Sequence, residues 1–84
     1  MHITDIEAEV IQKVVSRSGM DCWFYLTGSP GDSFKVYDLE DECTRSLEDG
    51  LSLLFEGLVP EYDYGLTNDE LVVLNNIRLR LEEK

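Results

Sequence analysis

Histidine is nearly absent from this 84-residue chain, and the single His2 lies at a terminus, where the fixed geometry that a catalytic imidazole needs is hard to hold. Basic residues are scarce too: seven Lys and Arg stand against eighteen Asp and Glu, a net charge of -11. Direct binding of DNA or RNA is therefore not expected, because phosphate contacts need clustered cations. Cysteine occurs twice, at Cys22 and Cys43. Two are too few for a disulfide-stapled secreted scaffold, and neither has companions at metal-ligand spacing. Both are read as reduced, buried thiols, although Cys43 could approach Cys22 in the expected fold. No apolar run reaches the roughly 18 residues of a membrane span. The amino-terminal MHITDIEAEVIQ lacks the basic region and apolar stretch of a signal peptide, so a cytoplasmic location is expected.

Catalytic and ligand-binding motifs are equally thin. The serines have no G-x-S-x-G setting, and the Gly-rich GSPGD lacks the lysine and the glycine spacing of a phosphate loop. Asp38 begins a run of oxygen-bearing residues that imitates a calcium loop, but its sixth position, where the sharp turn wants Gly, is Cys43. A paired-carboxylate hydrolase would need a cleft that so short a chain has little material to build. No catalytic residue, metal site or cofactor is expected.

What the chain does have is a globular composition, with 43% hydrophobic and 30% charged residues. Residues 1–84 are expected to form one compact acidic domain, because two cores would each be too small to offset the entropy of folding. Thr4 and Glu7 form a capping box, with Ile3 and Ala8 as a staple, ahead of apolar residues at helical spacing that include Ile6, Val10 and Val14. This predicts a first helix from about 4 to 18, ended by Gly19. From Cys22 the pattern changes to period two, is interrupted by GSPGD and resumes at SFKVYD, which predicts a β-hairpin. A loop over 28–32 would set Leu26 against Phe34 and Phe24 against Val36, leaving Trp23, Tyr25 and Tyr37 on the opposite face. A second helix is expected from Asp38 or Asp41, along the stripe Leu39, Cys43, Leu47, Leu51 and Leu54, with Gly50 inside it marking a close contact or a break. Gly57 and Pro60 end it. Thr67 and Glu70 then cap a third helix, with Leu66 and Leu71 as its staple and Leu74, Ile77 and Leu81 on its apolar side. The expected class is α+β, in the order helix, β-hairpin, helix, helix (αββαα).

The acids are unevenly spread. Residues 31–70 carry a net charge of -10, whereas residues 71–84 carry +1. On the expected second helix Arg45 can pair with Asp41 and Asp49, while Glu40, Glu42, Glu48 and Glu56 have no obvious local cation. Such a face either only solubilises the protein or draws a basic partner. The hairpin aromatics likewise either lie under a helix or form an interface, which Tyr62 and Asp63 of the following loop could extend. Candidate partner-binding residues are therefore Glu40, Glu42, Glu48, Asp49, Glu56, Trp23, Tyr25, Tyr37, Tyr62 and Asp63.

A short, strongly anionic chain without a catalytic site is similar in profile to the small acidic inhibitors of bacteria and phages. That is a likeness of class which carries no residue across. The first expectation is a non-enzymatic protein-binding protein: an acidic inhibitor, an immunity protein or a nucleic-acid mimic that engages a basic, nucleic-acid-binding partner. The alternative is a structural or assembly module that self-associates, as a homodimer, through the aromatic hairpin face.

Overall fold

The computed structural model describes residues 2–28, 34–59 and 61–83. Among these residues three α-helices and a three-stranded antiparallel sheet share one core, as the α+β reading expects. Helix α1 (Asp5–Arg17) starts at the capping box: Thr4 Oγ1 accepts the Glu7 N–H and the Glu7 carboxylate accepts the Thr4 N–H. Its far end passes through Gly19 at φ +79°, a left-handed turn that glycine adopts without steric cost. A short 3-10 helix (Met20–Cys22) then leads into strand β1 (Phe24–Thr27). Val10, Ile11 and Val14 are buried, but Ile6 is 65% exposed. Each step of four residues rotates about 40° around a helix, so Ile6 lies well away from Val14 and outside the apolar stripe.

Strand β1 pairs with β2 (Lys35–Asp38) so that Tyr25 faces Tyr37 and Leu26 faces Val36. The expected register is off by two residues, because the strands are joined by residues 28–34 and not by a five-residue loop. A slip of two leaves every side chain on its own face, so the assignment of faces stands. Within this connection Ser29, Pro30, Gly31 and Asp32 of the expected turn and Ser33 of the expected second strand, like Pro60 further on, lie outside the described residues.

The second helix begins later than its leucine spacing suggests. Residues 43–45 form strand β3 (Cys43–Arg45), antiparallel to β2, and helix α2 runs Leu47–Gly57. The β2–β3 connection is held by Asp38, which is 5% exposed. Its Oδ1 accepts the N–H groups of Glu40 (2.9 Å) and Asp41 (3.1 Å), and Arg45 Nε donates to its Oδ2 (2.8 Å). Arg45 also reaches Asp41 at 2.5 Å. The Arg45–Asp41 pair expected along a helix thus exists, but across a strand connection. With that turn fixed, Leu39 and Cys43 are exposed and do not continue the core stripe.

Ser46 caps α2 by accepting the Asp49 N–H, and the helix packs on the inner face of β2. Gly50 makes this approach possible. A β carbon placed there would lie 2.3 Å from Val36 Cβ, so the close-contact reading of Gly50 is the correct one and the helix is unbroken. Helix α3 (Asn68–Glu82) begins at the second capping box and buries Leu74 and Ile77. It is joined to α1 by ion pairs of Lys13 with Glu70 (2.5 Å) and of Arg80 with Glu7. The Lys13 ammonium, followed by the Thr67 amide cap, holds the Glu70 carboxyl down to about 2.

Candidate protein-interaction surface

Alternation along the strands divides the sheet's side chains into two sets. Phe24, Leu26 and Val36 join the core with Leu47, Leu51 and Leu54 of α2 and Val10, Ile11 and Val14 of α1. The opposite set comprises Tyr25, Thr27, Lys35, Tyr37 and Thr44, with Tyr37 opposite both Tyr25 and Thr44. Trp23 and Leu39 extend it by one further cross-strand step, since the Leu39 N–H donates to the Trp23 carbonyl at 2.8 Å. Tyr25 and Tyr37 stack with ring centroids 5.2 Å apart and planes at 27°. Trp23 is 50% exposed, Tyr25 45% and Leu39 38%, while Tyr37 is half-buried. This outer face is thus a small aromatic and aliphatic patch open to solvent, a composition enriched at protein interfaces and unusual on a bare surface.

The patch is electrically asymmetric. Lys35 stands at one end, and the β2–β3 loop with Glu40, Asp41 and Glu42 stands at the other, beside Leu39. Asp38 and Asp41 are engaged by Arg45, whose hydrogen bond, followed by the Asp41 N–H, holds the Asp38 carboxyl below its ordinary range. Glu40 and Glu42 are exposed and take part in no ion pair among the described residues. Glu42 has φ +52°, in the left-handed region that a non-glycine residue rarely occupies.

Of the sequence candidates, the fold therefore gathers Trp23, Tyr25 and Tyr37 on the outer face of the sheet and sets Glu40 and Glu42 in the loop at its end. It does not set the acids along a single helix face as expected, because Glu40 and Glu42 belong to a strand connection. Glu48 and Asp49 occupy the first turn of α2, where the helix dipole favours them. Glu56 lies on the far part of α2, at an open groove of about 400 Å3 shared with α3, where Arg78 sits 5.2 Å over the Phe55 ring. Tyr62, 68% exposed, tilts against Tyr64 in the loop before α3. Asp63 in the same loop accepts the Gly65 N–H at 2.9 Å, a turn-forming bond. Leu39 belongs to this patch and not to the helical stripe that its spacing suggested. The period-two alternation that runs outward from Tyr37 to Leu39 could have shown it.

Cys22 and Cys43 are free and exposed, which corrects the reading of buried thiols. Cys22 lies in the 3-10 helix before β1, and Cys43 opens β3. Among the described residues no cluster of three or more His, Cys, Asp or Glu could hold a metal ion. No helix among them is long and apolar enough to cross a membrane. Comparison of the chain with protein-family models, curated proteins and solved structures returned no match.

Proposed function

We propose that this chain is a non-enzymatic protein-binding protein, inhibitory in kind, that docks on a basic partner through the outer face of its sheet. The observation that carries the reading is the open set Trp23, Tyr25, Tyr37 and Leu39 with Glu40 and Glu42 at its end. Buried aromatics supply most of the affinity of small interfaces, and a charged rim steers encounter and selects the partner. A partner that otherwise binds nucleic acid has the cationic surface this face complements. The same charge disfavours self-association through the face, because a second copy would bring its own acids against the first. A reducing compartment such as the cytoplasm suits two exposed free thiols.

The test is capture on immobilised protein from a lysate of the native cells, at low and high salt, with retained proteins identified. Wild type is expected to retain a basic protein that salt releases. A Trp23→Ala/Tyr25→Ala variant and a Glu40→Lys/Glu42→Lys variant should each lose it while keeping the wild-type circular dichroism spectrum. A partner that both variants still retain overturns the assignment of this face. Retention only of further copies of the chain supports the assembly module instead.

A further inference from the structure

Beside the outer face, α1 and β1 diverge around a groove of about 230 Å3, lined by Gln12, Val15, Ser16, Asp21, Tyr25 and Leu26. Val15 is buried, and Leu26 belongs to the partly buried shell of the core, so the lining includes an apolar part. Tyr25 borders both the groove and the aromatic face. The exposed Asp21 also borders it, with no ion pair to a described residue, and Gln12 and Ser16 supply polar atoms. The groove thus has three features side by side: an apolar wall of Val15 and Leu26, an aromatic ring open to solvent, and a carboxylate.

We infer that this groove receives an arginine side chain of the partner, with its stem on Val15 and Leu26 and its guanidinium between the Tyr25 ring and the Asp21 carboxylate. The inference rests on the reading of the sheet face as a docking surface and adds the chemistry of the group that enters it. Guanidinium suits the site better than ammonium because it is planar and weakly hydrated. It can stack on a ring while its edge N–H groups donate to a carboxylate, which a compact, strongly hydrated ammonium does less well. The chain already uses both halves of this arrangement elsewhere. Arg78 lies over Phe55, and Arg45 spans the carboxylates of Asp38 and Asp41. Charge also favours this occupant over a second copy, whose cations are few and largely engaged within its own fold.

The probes are two capped peptides of equal length and charge, one of nine arginines and one of nine lysines, titrated at low salt. Trp23 is the chain's only tryptophan and stands on the face that the groove borders, so its fluorescence follows peptide binding at that face, and the Tyr25 and Asp21 variants assign it to the groove. Wild type is expected to bind the arginine peptide about two- to fivefold more tightly, fivefold being the most that one exposed guanidinium–ring contact confers. Tyr25→Phe should keep that preference. Tyr25→Ala should abolish it, and Asp21→Asn should weaken arginine binding more than the equally neutralising Glu83→Gln at the end of α3. Equal affinity for the two peptides, or an unchanged preference in Tyr25→Ala, overturns the inference. If the peptides bind equally while Trp23→Ala and Glu40→Lys/Glu42→Lys still lose the captured partner, the arginine assignment fails and the docking face stands. If neither peptide binds and no partner is captured, both fail.

Discussion

Replacing Gly50 by alanine probes the closest approach between helix and sheet. The added methyl carbon would lie 2.3 Å from Val36 Cβ, 2.5 Å from its Cγ2 and 2.8 Å from its Cγ1. Favourable carbon contacts begin near 3.5 Å, so the mismatch exceeds an ångström at its worst point. Val36 is 4% exposed, and its β carbon is fixed to the backbone of the central strand, so no rotamer change removes the clash. Helix α2 must retreat, separating Leu51 and Leu54 from the core. Overpacking of this kind costs about 3 kcal/mol at the upper end of its usual range. Alanine returns about 1 kcal/mol through helix propensity, leaving a net loss of about 2 kcal/mol. A domain of this size is stabilised by only about 4–13 kcal/mol, so the melting temperature should fall by about 8–16 °C. Urea and thermal denaturation followed by far-ultraviolet circular dichroism measure it. Truncating Val36 to alanine in the same chain removes the two outer contacts but leaves the one at 2.3 Å. The double variant should therefore recover only part of the Gly50→Ala loss relative to additivity. An unchanged or raised melting temperature in Gly50→Ala would refute the close packing of α2 on β2, since an open helical position gains from alanine.

Other consequences can be measured on the purified chain. Thr67→Ala removes the hydroxyl that accepts the Glu70 N–H and should cost about 1 kcal/mol in chemical denaturation, as should Thr4→Ala at the start of α1. Glu70 has its folded pKa lowered from 4.5 to about 2, so its contribution is fully present above about pH 4.5 and is lost as the pH falls through about 2. Stability followed over that window should accordingly fall less steeply in Lys13→Gln than in wild type. Glu42→Gly relieves a left-handed backbone at φ +52° and should stabilise by about 0.5 kcal/mol after the added chain entropy is set against the strain, while weakening partner capture. Raising ionic strength from about 0.01 M to 0.15 M shortens the screening length from about 30 Å to 8 Å. The molecule measures 32 × 25 × 23 Å, so repulsion across the -11 chain is cut off and the melting temperature should rise by several degrees; a fall would show that attractive surface pairs dominate.

The starts of α1 and α3 were legible because they are written locally. Thr4 with Glu7 and Thr67 with Glu70 satisfy amide donors within one turn, whatever the tertiary setting. The two sheet faces were legible for a related reason, since alternation survives a two-residue slip in register. Strand β3 was not. Three residues are too short for a period-two signal, and Leu39, Cys43 and Leu47 happen to fall at helical spacing. Arg45 and Asp41 satisfy the four-residue rule of a helix as readily as the connection they actually close. The Ser46–Asp49 cap pattern was the local signal for the true start of α2. Of the candidate surface, the exposure of Trp23 and Tyr25 depended on which face the helices cover, a long-range property that no window of sequence contains. The groove that adjoins Tyr25 depends on the angle between α1 and β1 and is equally invisible along the chain.

The most direct measurement of the central claim is a map of amide and indole NMR shifts in the labelled chain as the captured basic partner is titrated in. The account predicts perturbations concentrated at Trp23, Tyr25, Tyr37 and residues 39–44, together with Asp21 and Ser16 beside the groove. Perturbations centred on the Phe55 and Arg78 groove between α2 and α3, with the outer sheet face unmoved, would contradict it.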